Sequence, residues 1–217
     1  MKNPLQVIEQ ATALDKPGEV IGDVATKLIP QGPLKDALTG KWQGHPVHPV
    51  LTDIPIGFWV GSMVLDVLGG QRSRDAADRL LGLGILASIP TAAAGVADWV
   101  DNFGDERRIG LVHAAGNVAA IGLYTTSYVA RKNGHRATGF LLSLAGTAAV
   151  TAAGFLGGHL VYRMANGVDH TRFGHYPEEW TPVMADAELP EKTAVAADVG
   201  DVKVMLYRDG PTVCAIA

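Results

Sequence analysis

An all-α membrane four-helix bundle, with peripheral N-terminal helices and the beginning of a small C-terminal β domain, is the fold that three observations predict. Four long apolar stretches lie between Leu51 and Met164: about Ile54 to Leu68, Ala76 to Val100, Ile109 to Ala130 and Ala137 to Met164. Only 18% of the 217 residues are charged, and these gather towards the two ends of the chain. After Gly167 the helical pattern gives way to short runs of β character.

The last three stretches are long enough to cross a hydrocarbon core of ~30 Å at about 1.5 Å per residue. The first is shorter, and its proline-rich approach, Val47 to Asp53, is expected to begin in the interface. Asp53 is expected to cap that first helix, with Pro55 tolerated in its first turn. Pro90 is expected to kink the second span. The chain divides accordingly into peripheral amphipathic helices (1–40), a four-span membrane domain (41–168), a linker (169–179) and the start of a β domain (180–217).

Leu5, Ile8, Ala11 and Leu14 recur at helical spacing before Pro17-Gly18 breaks the pattern. A second amphipathic run carries Val20, Ile21, Val24, Leu28 and Ile29, and Pro30 to Pro33 ends the section. Both runs are too short and polar to span, which suits a membrane surface or a docked position. The loops between spans (Gly69 to Asp75, Asp101 to Arg108, Arg131 to Arg136) are short, so successive helices run antiparallel. Arg72, Arg74, Arg131, Lys132 and Arg136 mark one side, which the positive-inside rule makes cytoplasmic. Lys35, Lys41, Arg107, Arg108, Arg163 and Arg172 lie on the other side and weaken that contrast. Gly57 with Gly61, and Gly154 with Gly158, are small-xxx-small pairs suited to close helix approach within the chain or in an oligomer.

The net charge of −4 and the lack of a basic patch exclude a nucleic-acid role. Cys214 is the single cysteine, which excludes an internal disulfide and a cysteine-only metal site. The N-terminus lacks the pattern of a removable signal peptide.

Histidines are costly in hydrocarbon, and within membrane segments they mark ligands or proton paths. His45 and His48, each followed by proline, are expected in extended or polyproline geometry just before the first span. Following the chain across the bilayer brings His113, near the start of the third span, and His159, near the end of the fourth, to the same end. Asp98 and Asn117 fall near that layer, and Trp99 reads as an interfacial belt residue. Taken singly, these histidines have ordinary roles: interfacial hydrogen bonding for His45 and His48, a bond to Asp98 for His113, snorkelling for His159. Their shared depth favours a cofactor. His113 and His159 suit the two axial positions of haem b, with His45 and His48 serving a second haem or a quinone. Gly116, Ala119, Ala120, Ala152, Ala153 and Gly154 supply room or tight packing. A non-haem metal site would add Asp53 and Asp98. Asp66, near the far end of the first span, reads as an interface residue, and His135, His170 and His175 as solvated surface.

The run Gly44-His45-Pro46-Val47-His48-Pro49-Val50-Leu51, with Ile54-Pro55-Ile56-Gly57 and Asp66, resembles the four-span bacterial membrane family DUF2231. Gly95-Val96-Ala97-Asp98-Trp99, His113-Ala114-Ala115-Gly116-Asn117 and Gly157-Gly158-His159-Leu160-Val161-Tyr162 fit the same family. The resemblance covers about Gly40 to Val168 and implies the fold more than the chemistry. From Trp180 onward, Trp180-Thr181-Pro182-Val183, Glu188-Leu189-Pro190 and the Val202 to Ala217 hairpin resemble the start of a Rieske-type domain. Such a domain implies a [2Fe–2S] cluster held by two cysteines and two histidines. Neither Cys-x-His nor Cys-x-x-His occurs here, so a cluster is expected only if its ligands lie beyond residue 217, and the sequence reads as a fragment of a longer protein.

These observations predict an electron-transfer subunit of the inner membrane, with its histidine end outward. It would relay electrons between a Rieske-like domain or soluble oxidoreductase and the quinone pool. Membrane lipid is the expected surrounding and an oligomer is compatible. The rivals are a non-haem metal protein and a structural anchor for a partner complex.

Overall fold

A computed structural model describes residues 5–168, 174, 175 and 177–217. The chain forms two compact units, 1–167 and 168–217. In the first, short helices α1 (Gln6–Glu9), α2 (Asp15–Leu28) and α3 (Pro33–Leu38) precede four long ones. These are α4 (His48–Leu68), α5 (Arg74–Trp99), α6 (Gly104–Lys132) and α7 (Arg136–Tyr162). All four are long and apolar enough to cross a membrane, yet only 17% to 33% of their most apolar windows is buried within the protein. The remaining apolar surface is what a lipid environment covers.

The spans begin earlier than the apolar stretches alone suggest. α4 starts at His48 with Pro49 in its first turn, where a missing N–H costs nothing. His48 is therefore helical rather than extended, and Asp53 lies inside the helix rather than at its cap. Pro17-Gly18 likewise does not break a helix: Pro17 sits in the first turn of α2, which continues to Leu28. Pro33 opens α3. The connection read as Arg131 to Arg136 shrinks, because Arg131 and Lys132 belong to α6 and Arg136 begins α7. Asp105 and Glu106 stand in the first turn of α6 and Arg131 and Lys132 in its last, each opposing the helix dipole.

Two antiparallel hairpins, α4–α5 and α6–α7, pack large side chains into glycine slots. In the first, a Cβ at Gly84 would meet the Trp59 ring at 2.4 Å, and one at Gly95 would meet the His48 ring at 2.7 Å. In the second, Gly139 receives Arg131, Gly146 receives Tyr124 and Gly157 receives His113. Of the small-xxx-small pairs, Gly57 and Gly154 face open space, while Gly61 meets Leu80 of α5.

The hairpins repeat one another. His48, Trp59, Ser62 and Asp66 in α4 have the spacing of His113, Tyr124, Ser127 and Arg131 in α6. Ala77, Gly84, Thr91 and Gly95 in α5 have the spacing of Gly139, Gly146, Ala153 and Gly157 in α7. The contacts repeat too. His48 Nδ1 lies 2.9 Å from the Thr91 carbonyl oxygen, and His113 Nδ1 2.7 Å from that of Ala153. Ser62 donates to the Ala77 carbonyl at 2.8 Å, and Ser127 to that of Gly139 at 2.6 Å. Equivalent residues meet: His48 with His113, Trp59 with Tyr124, Asp66 with Arg131. An approximate two-fold axis therefore runs along the bundle, as in membrane folds built from parallel repeats. At about 1.5 Å per residue, the aromatic layer lies roughly 16 Å and the ionic layer roughly 27 Å from the histidines.

The repeat fails at one end. α6 extends back to Gly104, well over one turn beyond His113, and this extension holds the N-terminal helices. Arg108 pairs with Asp15 at 2.6 Å and donates to the Glu9 carbonyl at 2.6 Å, while the Arg107 side chain packs on Gly18 and Gly22. Lys35 of α3, buried, pairs with Asp101 at 2.7 Å. Trp99 is buried here, donating to the Arg107 carbonyl at 3.0 Å and packing against Gly110, so it is not a belt residue.

The Arg108 guanidinium holds the Asp15 carboxyl below its ordinary value of 3.8 by hydrogen bonding and charge. A depressed carboxylate stabilises the folded state above its unfolded pKa and loses that contribution as pH falls through the folded one. α2 is therefore expected to remain docked from about pH 7 down to about pH 5. Amide exchange over 15–28 should be equally protected at both, once corrected for intrinsic rates, whereas Arg108→Met should lower protection throughout.

In the second unit, β1 (Val195–Val199), β2 (Val202–Asp209) and β3 (Thr212–Ile216) form an antiparallel meander. Two-residue turns join them, with Val199 opposite Val202 and Asp209 opposite Thr212. Gly200 and Gly210 have φ of 63° and 57°, a backbone that favours glycine. Val202 and Leu206 are buried on one face of β2, while β3 is exposed along its length.

Candidate functional site

His48 and His113 are the side chains the repeat brings together at the histidine end. Their ring centroids are 6.2 Å apart with planes at 87°. A carbonyl oxygen only accepts, so the Thr91 and Ala153 carbonyls place the proton of each neutral ring on Nδ1 and leave the lone pair on Nε2. Gly95 and Gly157 make this arrangement sterically feasible, because a Cβ at either would press on the facing imidazole. Thr91 is itself fixed, its hydroxyl 3.1 Å from the Leu51 carbonyl and 2.9 Å from that of Ala87. Asn117, one turn beyond His113, places Nδ2 3.1 Å from His113 Nε2 and donates to the His113 carbonyl at 3.0 Å. The result is two half-buried imidazoles, one from each hairpin, each with orientation and tautomer imposed by the opposite helix.

The other predicted residues stand apart from this pair. His159 lies near the end of α7, as expected, but its Nε2 is 2.9 Å from Glu9 Oε1 of α1, and Gly157 is the α7 residue that faces His113. His45 is exposed, its Nδ1 3.2 Å from the Pro46 carbonyl oxygen. Asp53 is exposed and Asp98 half-buried. Among the described residues, no three His, Cys, Asp or Glu side chains gather as a metal site. Of the small residues expected near the pair, Gly116 packs on Ala153, whereas Ala119, Ala152 and Gly154 face outward. His135 is exposed, His175 pairs with Asp201 at 2.9 Å, and His170 lies outside the described residues.

At the far end of the axis is a buried ionic cluster that sequence reasoning missed. Arg131, with no exposed side-chain surface, lies 2.6 Å from Asp66 and 3.3 Å from Asp78. Arg136 reaches the same carboxylates at 2.6 Å and 3.0 Å. Arg131 also donates to Ser127 and Ser143, whose hydroxyls are 2.8 Å apart. Asp66, near the end of the first span as expected, is thus a buried ion-pair partner. The warning was available: two carboxylates and an arginine at matching depth in apolar spans must neutralise one another. Between the two ends, Trp59 and Tyr124 stack at 4.2 Å, and Tyr124 Oη lies 3.0 Å from Thr147 Oγ1.

Four apolar helices in two repeated hairpins, with polar layers confined to the axis between them, define a polytopic membrane protein. Residues 44–170 match the family model described as "Predicted membrane protein (DUF2231)", and since this is more than half of the chain, the protein belongs to that family. No curated protein and no solved structure matches it.

Proposed function

We propose that the membrane domain is an electron-transfer subunit in which His48 and His113 hold a b-type haem. The observation that carries this reading is the symmetric pair, with one imidazole from each hairpin and each Nδ1 held by an equivalent carbonyl. A porphyrin supplies four of iron's ligands, so two neutral imidazoles complete the set, and imidazole suits iron. A hydrogen bond from Nδ1 to a carbonyl is the support that orients such ligands and raises their basicity. When bound, the group would supply one-electron chemistry.

The protein's own part is positioning. Thr91 and Ala153 fix the tautomers, Gly95 and Gly157 leave space for the rings, and Asn117 releases Nε2 of His113 while keeping its bond to the His113 carbonyl. His159, partnered by Glu9, secures the N-terminal helices, and His48 rather than His159 would hold the group with His113. His45, exposed near the same end, faces the quinone or the soluble oxidoreductase. A Rieske-like domain is a second donor or acceptor, provided that Cys-x-His and Cys-x-x-His ligands follow residue 217. The inner membrane with the histidine end outward is the placement that the basic residues at the Asp66 end support.

The test is the optical spectrum of protein produced with added haem. The wild type is expected to show a low-spin Soret band. His48→Ala and His113→Ala should each abolish or convert it to high spin, and His159→Ala should leave it in place. A haem-supplemented wild type without a Soret band would sink the proposal.

A further inference from the structure

Beside the ionic cluster, at the end opposite the histidines, lies a cleft of about 410 Å³ lined by Asp66, Gly70, Gln71, Arg74, Arg136 and Phe140. The repeat makes Arg74 and Arg136 equivalent: each is the first residue of the second helix of its hairpin. Their surroundings differ. Arg136 is neutralised by Asp66 and Asp78. The residues at the corresponding positions for Arg74 are Arg131 and Phe140, so the repeat provides it with no carboxylate. Arg74 is exposed, and its side chain makes no hydrogen bond or ion pair with the described residues. It borders the cleft as an unpaired cation, beside the N-termini of α5 and α7, whose dipoles also favour an anion.

The geometry points to a binding site for the phosphate of an anionic phospholipid, with Arg74 as the principal charge. Depth and surroundings select a lipid as the source. The cleft is roughly 27 Å along the axis from the histidine layer, close to one hydrocarbon thickness, and so falls at a membrane interface. One turn further along α7 from Ala137 and Phe140, which line the cleft, Leu141 and Leu144 are exposed, an apolar surface for acyl chains below a headgroup. Basic pockets between spanning helices recognise lipid headgroups by this combination of charge and depth. The site is independent of the imidazole pair and of any cofactor there.

The full chain in a neutral detergent serves as the test, its melting followed with added phosphatidylglycerol, phosphatidylcholine or inorganic phosphate. Phosphatidylglycerol should raise the melting temperature by several degrees, and the other two should not. Arg74→Gln should lose most of that rise while melting normally without lipid, Arg74→Lys should retain part of it, and Arg72→Gln, a neighbouring charge outside the cleft lining, should retain all of it. Equal loss in Arg72→Gln and Arg74→Gln would reduce the effect to diffuse attraction and overturn the site. An Arg74-dependent rise with inorganic phosphate alone would overturn the lipid in favour of a free anion.

Discussion

Arg131→Met is expected to destabilise the membrane domain by about 3–5 kcal/mol, the cost of removing one partner from a buried ion pair. The methionine fills much of the space, so the loss is mainly electrostatic. Asp66 and Asp78 have only 4% and 8% of their side chains exposed; Asp66 would depend on Arg136 alone, and Asp78 on Arg136 and on Lys132 at 3.8 Å. Ser127 and Ser143 would lose the guanidinium donor as well. Adding Asp66→Asn to Arg131→Met should recover most of the stability, because Arg136 then keeps Asp78 as its partner at 3.0 Å and no unpaired charge is buried. Thermal unfolding in detergent reads both, and a double variant as unstable as the single one would show that the cost is packing rather than charge.

Gly84→Ala should cost about 1–3 kcal/mol, the usual range for forcing an extra methyl into a packed interior. The added Cβ would stand 2.4 Å from Trp59 Nε1 and 2.5 Å from its Cδ1, and the Trp59–Tyr124 stack limits the retreat of the indole. Gly146→Ala, at the equivalent position, meets Tyr124 at 3.1 Å and should cost less. Trp59→Phe removes the colliding pyrrole edge and also a buried N–H that has no hydrogen-bond partner among the described residues. Combined with Gly84→Ala, it should restore stability, a coupling that a double-mutant cycle in unfolding measures. If the two changes simply add, the slot does not govern the packing of this hairpin.

Both variants probe the axis that single-residue reading overlooked. The four apolar stretches announced the spans because hydropathy acts over many residues at once. Glycines 84, 95, 146 and 157 gave no comparable announcement, since a glycine slot is defined by the ring across from it on another helix. The nominal GxxxG pairs, which did stand out, include two glycines that face open space. For the same reason, position along the chain placed Asp66 near a span end and Arg131 in a loop, without showing that each is the other's partner across the bundle.

The candidate site divides in the same way. Topology alone puts His45, His48, His113 and His159 at one end, since short loops force antiparallel neighbours. It does not say which imidazoles face each other. His113 and His159, close in depth on adjacent helices, looked like the pair, but α7 turns Gly157 towards His113 and carries His159 round to Glu9. His48 takes the facing position because α4 begins at that residue, a helix start that the following proline disguised. The Nδ1 partners were equally invisible, being main-chain carbonyls that no residue type encodes.

By itself, then, the sequence determined the number and order of the membrane helices, the end of the bundle at which the histidines lie, and the β character of the tail. Hydropathy, chain direction and alternation are properties of the chain and need no neighbour. Only the tertiary structure decided that the two hairpins are copies of one arrangement and that His48 meets His113, Trp59 meets Tyr124 and Asp66 meets Arg131. Those meetings depend on helix rotation and register. Both are set by packing between segments far apart in the chain, where each glycine slot accepts the large side chain opposite it.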